Sequence, residues 1–376
     1  MKIGILGGGQ LGRMLVQAAS PLDLNVYVMD KSSDYPAPDI WPYFFEGDFS
    51  DYNHVLEFGR TVDVITIEIE SVNVEALHQL EAGGKVIIPQ PSKLELIADK
   101  GLQKQFYADQ GLPTSPFLLC HSDEIPSLVE QGKITIPFVQ KLRKGGYDGR
   151  GVMVVRSAEE VSQVLQGDSL IEELVSIQKE LAVIVARGMD GEITSFPVVE
   201  MAFHPTANLV EFLFAPSRLP LDKQEEATRI AIACAEKMDI HGLLAVEMFE
   251  DENGRILINE VAPRPHNSGH HSIEACITSQ YEQLCRILAN LPQGKTDLIQ
   301  PAVMINLLGE DGYSGKVKYQ GLGEVMKLGG VYPHIYGKKS TKPFRKMGHV
   351  TVLDSNLDEA IKKARTVQNT LKVISQ

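Results

Sequence analysis

Short apolar runs alternate with amphipathic stretches through the first hundred residues. Residues 3–6, 26–29, 62–67 and 86–88 read as buried strands, and 11–19 and 74–80 carry apolar positions at helical spacing. Strands that alternate with helices predict a parallel sheet with crossover helices. Pro89 and Pro91 break this rhythm, and a polar, helix-prone stretch over 92–110 leads into Gly111-Leu112-Pro113, which places a first domain at 1–98.

The pattern then becomes α+β. Residues 136–142, 152–155, 179–186 and 256–261 read as longer strands, with helices near 158–166, 223–238 and 272–290. A second domain over 99–295 follows, with a lid subdomain at about 117–175. Beyond Pro292, strands at 301–307 and 348–353 flank glycine-rich turns at 309–315 and 321–330, and a helix spans 357–371. A small β-rich domain over 296–376 fits this last stretch.

Composition narrows the function. Of 376 residues, 43% are hydrophobic and 23% charged, as in folded soluble chains, which excludes a disordered or fibrous protein. The formal charge of −13 argues against nucleic-acid and acidic-membrane partners, so any anionic ligand must meet local cations. Four scattered cysteines, Cys120, Cys234, Cys276 and Cys285, form no CxxC pair and read as reduced thiols. The first strand begins almost at Met1, leaving no room for an export signal. No apolar run approaches the roughly 20 residues of a membrane span. Together these predict a cytoplasmic protein.

Gly7, Gly9 and Gly12 fit GxGxxG between a strand and a helix, and Asp30 follows the second strand. This spacing is compatible with a dinucleotide site, with another phosphate or ligand site, or with a structural turn. Asp30 itself reads as a solvated strand end.

The richest chemistry lies further on. In residues 140–152 a strand carrying Lys141 enters a loop, Gly145-Gly146-Tyr147-Asp148-Gly149-Arg150-Gly151, whose four glycines suit a mobile cover over phosphates better than a plain hairpin. Glu247 and Glu260 lie on two apolar segments joined by a turn containing Asn253-Gly254, so an antiparallel hairpin would bring them face to face. Facing carboxylates repel unless a cation lies between them; with Asn259 they offer the hard oxygen ligands that suit Mg²⁺. The run Arg264-Pro265-His266-Asn267-Ser268-Gly269-His270-His271 presents a guanidinium, an imidazole, an amide and a hydroxyl to a polar substrate, and adjacent histidines make a poor zinc pair. Glu172, Glu173, Leu174 and Val175 suit either an adenine contact or an exposed strand end. Residues 338–346 hold five cations in nine positions, a candidate anion site.

In this order the elements resemble the ATP-grasp enzymes. GGGQLGRM at 7–14, GGYDGRG at 145–151, NEVAPRPHNSGH at 259–270 and FRKMGH at 344–349 resemble the 5-(carboxyamino)imidazole ribonucleotide synthase family of purine biosynthesis. The resemblance implies an ATP-grasp fold with an N-terminal Rossmann-like domain and a small C-terminal β-rich domain. It also implies a homodimer that uses ATP, Mg²⁺ and bicarbonate to carboxylate 5-aminoimidazole ribonucleotide through carboxyphosphate.

By the same resemblance, Lys100, Lys141, Asn259 and Glu260 meet the ATP phosphates, Glu172 to Val175 the adenine, Glu180 the ribose and His204 the nucleotide. Glu247, Glu260 and Asn259 would hold the metal. Gly146, Tyr147, Asp148, Gly149, Arg150 and Gly151 would close over the transferring phosphoryl group, while Arg264, His266, Asn267 and Ser268 face bicarbonate and the aminoimidazole. Gly8, Gly9, Gln10, Leu11 and Glu70 cradle the ribonucleotide, and Lys339, Lys342, Arg345 and Lys346 its 5′-phosphate. Lys100 and Lys342 stand where the family often has Arg, and Ser71 where it often has Asn. Two rival readings are a formate-dependent ATP-grasp transformylase, distinguished by the loop 264–270, and an NAD-dependent oxidoreductase, which leaves the paired acids unexplained.

Overall fold

The structure, a computed structural model, describes residues 1–32, 35–146, 151–203 and 210–376. Among these the chain builds four sheets. The first is parallel, with strands in the order Phe44–Glu46, Asn25–Asp30, Lys2–Leu6, Val64–Ile67, Val86–Ile87. Helices Gln10–Ala19, Tyr52–Thr61 and Val74–Ala82 supply the crossovers. The edge strand Phe44–Glu46 and the helix Tyr52–Thr61 were not expected from the pattern. The strand is only 3 residues long, and the helix presents its apolar face through well-spaced positions such as Val55 and Phe58.

The helix-prone stretch after Pro91 is two helices, Pro91–Ala98 and Lys100–Asp109. Asp99 separates them because its extended backbone lets the carboxylate accept from the amides of Gly101 and Leu102, capping the second helix. Arg143 grips the same carboxylate through Nε and Nη2 at 2.9 and 2.8 Å, so the start of this helix is tied to the basic strand Phe138–Leu142.

That strand belongs to a four-stranded antiparallel sheet ordered Phe117–His121, Asp168–Glu173, Phe138–Leu142, Val152–Val155. The expected helix near 158–166 is a 3₁₀ segment, Glu159–Gln163, and the expected helix over 272–290 is two, Ser272–Ala275 and Gln280–Leu288.

A nine-stranded sheet forms the spine, running Ile256–Ala262, Gly242–Asp251, Ile177–Arg187, Val199–Phe203, Val210–Ala215, Ala302–Leu308, Lys346–Leu353, Val331–Ile335, with Ile193–Ser195 paired to Ile177–Arg187. It continues across residue 295 because Val210–Ala215 pairs with Ala302–Leu308, so the C-terminal strands extend the sheet of the central region. The N-terminal region joins the same body where helix Gln10–Ala19 packs on Gln280–Leu288, through Leu15, Val16, Leu284 and Cys285. Cys234, Cys276 and Cys285 are buried free thiols. No helix among the described residues is long and apolar enough to cross a membrane.

Candidate active site

The turn at Asn253-Gly254 closes the expected hairpin, and the register sets Glu247 directly opposite Glu260. Glu180, on the neighbouring strand, shares their face: it pairs with Phe249, while Glu247 pairs with Ala182. Burial, reinforced by the charges of Glu260 and Glu180, pushes the Glu247 carboxyl up to about 8. Burial alone raises Glu180 to about 7. Glu260 goes the other way: burial disfavours its charge, but Lys100 and Lys141 outweigh that and hold it below the usual carboxylate range. Three acids on one face thus meet two lysines, with Lys100 Nζ bonded to Glu260.

Lys141 Nζ lies 2.8 Å from Asn259 Oδ1 and 2.6 Å from Glu172 Oε2. Glu172 is buried and also pairs with Lys104, a lysine 1% exposed that sequence reasoning passed over, and it accepts from Ser115 Oγ at 2.9 Å. Burial would raise Glu172, but Lys141 and Lys104 hold it at about 2. The Glu172 carboxylate therefore faces inward toward two cations, while Glu173 and Leu174 are exposed.

The loop after the hairpin reaches back over the acids. His266 Nε2 lies 3.3 Å from Glu247 Oε1, and His266 Nδ1 lies 2.9 Å from the buried Ser268 Oγ. Gln280 braces this loop, accepting from the amide of His266 and donating to its carbonyl, at 2.9 and 2.8 Å. Arg264 Nε pairs with Glu70 Oε1 at 2.9 Å. Glu70 thus lies against Arg264 as an ion pair, and the acid lining the neighbouring cleft is Glu68. His270 and His271 are buried in the packing behind the loop rather than presented to a metal.

That cleft has a volume of ≈ 550 Å³ and is walled by Gly9 and Gln10 on one side and Lys338, Lys339, Ser340 and Arg345 on the other, with Tyr35 and Glu68 between. Lys338 Nζ donates to Gln10 Oε1 and to the Lys346 carbonyl, both at 2.7 Å, joining the first and last regions of the chain. Lys346 is near enough to Glu247 to oppose its rise in pKa. Lys342 is exposed and is not among the residues that wall this cleft. The partly buried Leu11 side chain packs against the core.

The glycine motif serves these carboxylates. A β-carbon on Gly7 would come within 2.3 Å of Glu68 Cγ, one on Gly9 within 2.1 Å of Glu68 Oε1, and one on Gly12 within 2.8 Å of Glu68 Oε2. The amide of Gly12 donates to Glu68, and that of Gly8 donates to Asp30 Oδ2 at 2.7 Å. Asp30 is 2% exposed, contrary to the expectation of a solvated strand end. Carboxylates already occupy the anion position at this helix N-terminus, where a dinucleotide would need its pyrophosphate. Burial, partly offset by the Gly12 amide, raises Glu68 to about 7. The signal that could have found Glu68 was its position at the end of the strand beside the glycine loop.

Tyr147, Asp148, Gly149, Arg150 and His204 lie outside the described residues. Gly146 and Gly151 flank the loop, Gly151 at φ +75°, a conformation glycine adopts without strain.

Three acids on the nine-stranded sheet, met by Lys100 from a helix and Lys141 from the four-stranded sheet, with the loop after the hairpin lying against them, are the site of an ATP-grasp enzyme. The ATP-grasp domain matches residues 105–281, the ribonucleotide synthetase preATP-grasp domain residues 1–98, and the phosphoribosylaminoimidazole carboxylase C-terminal domain residues 302–363. The N5-carboxyaminoimidazole ribonucleotide synthase of Bacillus subtilis (strain 168) is 36% identical over 96% of this chain and 93% of its own. The synthetase structure from Thermotoga maritima superposes with a TM-score of 0.92 at 40% identity, covering 100% of this chain and 99% of that one. The synthase from Aspergillus clavatus, in complex with ADP and 5-aminoimidazole ribonucleotide, gives 0.89 at 29% identity over 98% and 97%. The chain belongs to the N5-carboxyaminoimidazole ribonucleotide synthase family, and is a ligase of purine biosynthesis.

Proposed function

We propose that the protein carboxylates the exocyclic amine of 5-aminoimidazole ribonucleotide with bicarbonate. ATP phosphorylates bicarbonate to carboxyphosphate, releasing ADP; carboxyphosphate yields CO₂ and phosphate; and the amine takes up CO₂, losing one proton, to give N5-carboxyaminoimidazole ribonucleotide. The observation that carries this reading is the position of His266, 3.3 Å from Glu247, on the same loop as Arg264, whose charge acts on Glu68 in the wall of the basic cleft. One loop thereby touches the place where a phosphoryl group would leave ATP and faces the place where a ribonucleotide would lie.

Lys100 and Lys141 would neutralise phosphate charge. Glu247, Glu260 and Asn259 fit Mg²⁺: they are hard oxygen donors, and a carboxylate pair in which Glu247 is pushed to about 8 invites a cation. When bound, the ion would neutralise charge developing on the phosphate oxygens. Gln10, Glu68, Lys338, Lys339, Arg345 and Lys346 would grip the ribonucleotide, the cations meeting its 5′-phosphate. Family resemblance supports a role for Tyr147, Asp148 and Arg150 over bicarbonate, where excluding water would protect carboxyphosphate from hydrolysis. It also supports His204 and Glu180 at the nucleotide, a cytoplasmic homodimer, and three units at 1–98, 99–295 and 296–376 with the lid at about 117–175.

The test is ADP release by purified protein with Mg²⁺, bicarbonate and 5-aminoimidazole ribonucleotide. Release that depends on both substrates is expected. No release with this pair, but release with formate and a glycinamide ribonucleotide, would overturn the reading in favour of a transformylase.

A further inference from the structure

A polar row crosses the C-terminal part of the nine-stranded sheet. Asn306 pairs with His349, and His349 pairs with His334, so the three side chains share one face of three adjacent strands. The strand carrying Asn306 is otherwise apolar, Ala-Val-Met-Ile-Asn-Leu-Leu, and Asn306 is 7% exposed. A buried amide in such a strand is costly unless its hydrogen bonds are met, which invites a search for its partners.

All three members of the row meet one short segment. Asn306 and Asn267 exchange amide hydrogen bonds: Asn267 Nδ2 donates to Asn306 Oδ1 at 2.8 Å, and Asn306 Nδ2 donates to Asn267 Oδ1 at 3.1 Å. Asn306 Nδ2 also donates to the Val210 carbonyl at 2.8 Å. One step along, the His349 ring lies 4.7 Å from that of His270, and its Nδ1 is 3.0 Å from Tyr336 Oη. At the end of the row His334 Nε2 lies 2.6 Å from Glu274 Oε1. The row thus reads residues 267, 270 and 274 in order, and it stands on the strands that lead into the basic cleft wall at Lys338 and Lys346.

We propose that Asn306 is a positioning residue for the aminoimidazole nucleotide. Through the paired amides it fixes Asn267, and with it His266 and Ser268, relative to the cations of the C-terminal region that would hold the nucleotide's phosphate. The loop and the phosphate wall then keep one spacing, and that spacing selects the substrate. The lysines near the ATP site, Lys100 and Lys141, lie on other elements and are not set by this row. The inference rests on the function proposed above.

Steady-state kinetics of the full chain test it, with Asn306→Leu, of similar size but without hydrogen bonds, and Asn306→Ser, which keeps a hydroxyl. Asn306→Leu is expected to raise KM for 5-aminoimidazole ribonucleotide about tenfold while leaving KM for ATP within about twofold, with Asn306→Ser between it and the parent. Asn267→Leu combined with Asn306→Leu should be no worse than Asn267→Leu alone. A thermal melt of each variant separates unfolding from the kinetic effect. An equal rise in both KM values, no rise in either, or multiplicative effects in the double variant would overturn the inference. A parent protein that releases no ADP with bicarbonate and this nucleotide would overturn the function itself. Normal parent turnover with an unselective Asn306→Leu would overturn only the role of Asn306.

Discussion

Gly9 and Glu68 fit so closely that a single methyl group on Gly9 would sit 2.1 Å from Glu68 Oε1. The glycine motif and the acid at the end of the neighbouring strand are therefore one device, which closes an anion pocket with a carboxylate and turns the loop toward the basic cleft.

Gly9→Ala is expected to destabilise the protein by about 1 kcal/mol, because the new methyl must displace the carboxylate end of the Glu68 side chain. Glu68→Ala removes the obstacle, so the double variant should lose less than the sum of the two single losses. Urea unfolding of the three variants measures this; additive losses would refute the contact.

Glu68 also predicts a pH dependence. Its carboxyl is raised to about 7 in the fold from an ordinary 4.5. Its contribution to stability is fully present below about pH 4.5 and is lost as pH rises through 7, since the unfolded chain then releases a proton that the fold retains. Glu68→Gln, which keeps an oxygen for the Gly12 amide, should flatten that loss. The melting temperature of the parent should fall relative to Glu68→Gln by a few degrees, roughly 2–4 °C, between pH 5 and 8. Parallel pH profiles would show that Glu68 titrates normally.

Lys104 and Glu172 are buried together, with side chains 2% and 5% exposed. Removing one partner of such a pair leaves a buried charge with less compensation, so Lys104→Met should cost about 3–5 kcal/mol, less whatever Lys141 restores. Lys104→Met with Glu172→Gln should recover part of that. Denaturant melts decide it, and a Lys104→Met loss below about 1 kcal/mol would contradict the pairing.

Glu260 carries the strongest prediction for turnover. Glu260→Ala removes both a metal donor and the partner of Lys100, and is expected to lower kcat by at least about a hundredfold. The melting temperature should change little, because Glu260 faces the site rather than the core. Undiminished ADP release would remove Glu260 from the chemistry.

Much of the molecule was legible in the chain. Asn253-Gly254 between two apolar segments was enough to place Glu247 against Glu260, because a tight hairpin leaves little freedom of register. The alternation over the first hundred residues gave four of the five parallel strands for a similar reason: pattern and local geometry coincide there. Phe44–Glu46 escaped because 3 residues hold no period. Glu172 was visible as an acid beside an apolar strand, but its commitment to Lys104 was not, since 68 positions separate them in the chain and nothing local marks a lysine as buried.

What the sequence determined by itself was which chemical groups the chain offers: the paired acids, the basic strand, the glycine-rich loop and the polar run after the hairpin. Only the tertiary structure decided which groups meet. It turned Glu68 rather than Glu70 into the cleft, gave Glu70 to Arg264, left Lys342 outside, and brought Asn306 against Asn267. Motifs record residues that act within a few positions of one another, whereas each of these choices depends on packing between strands and loops distant in the chain, where burial and charge set the partner.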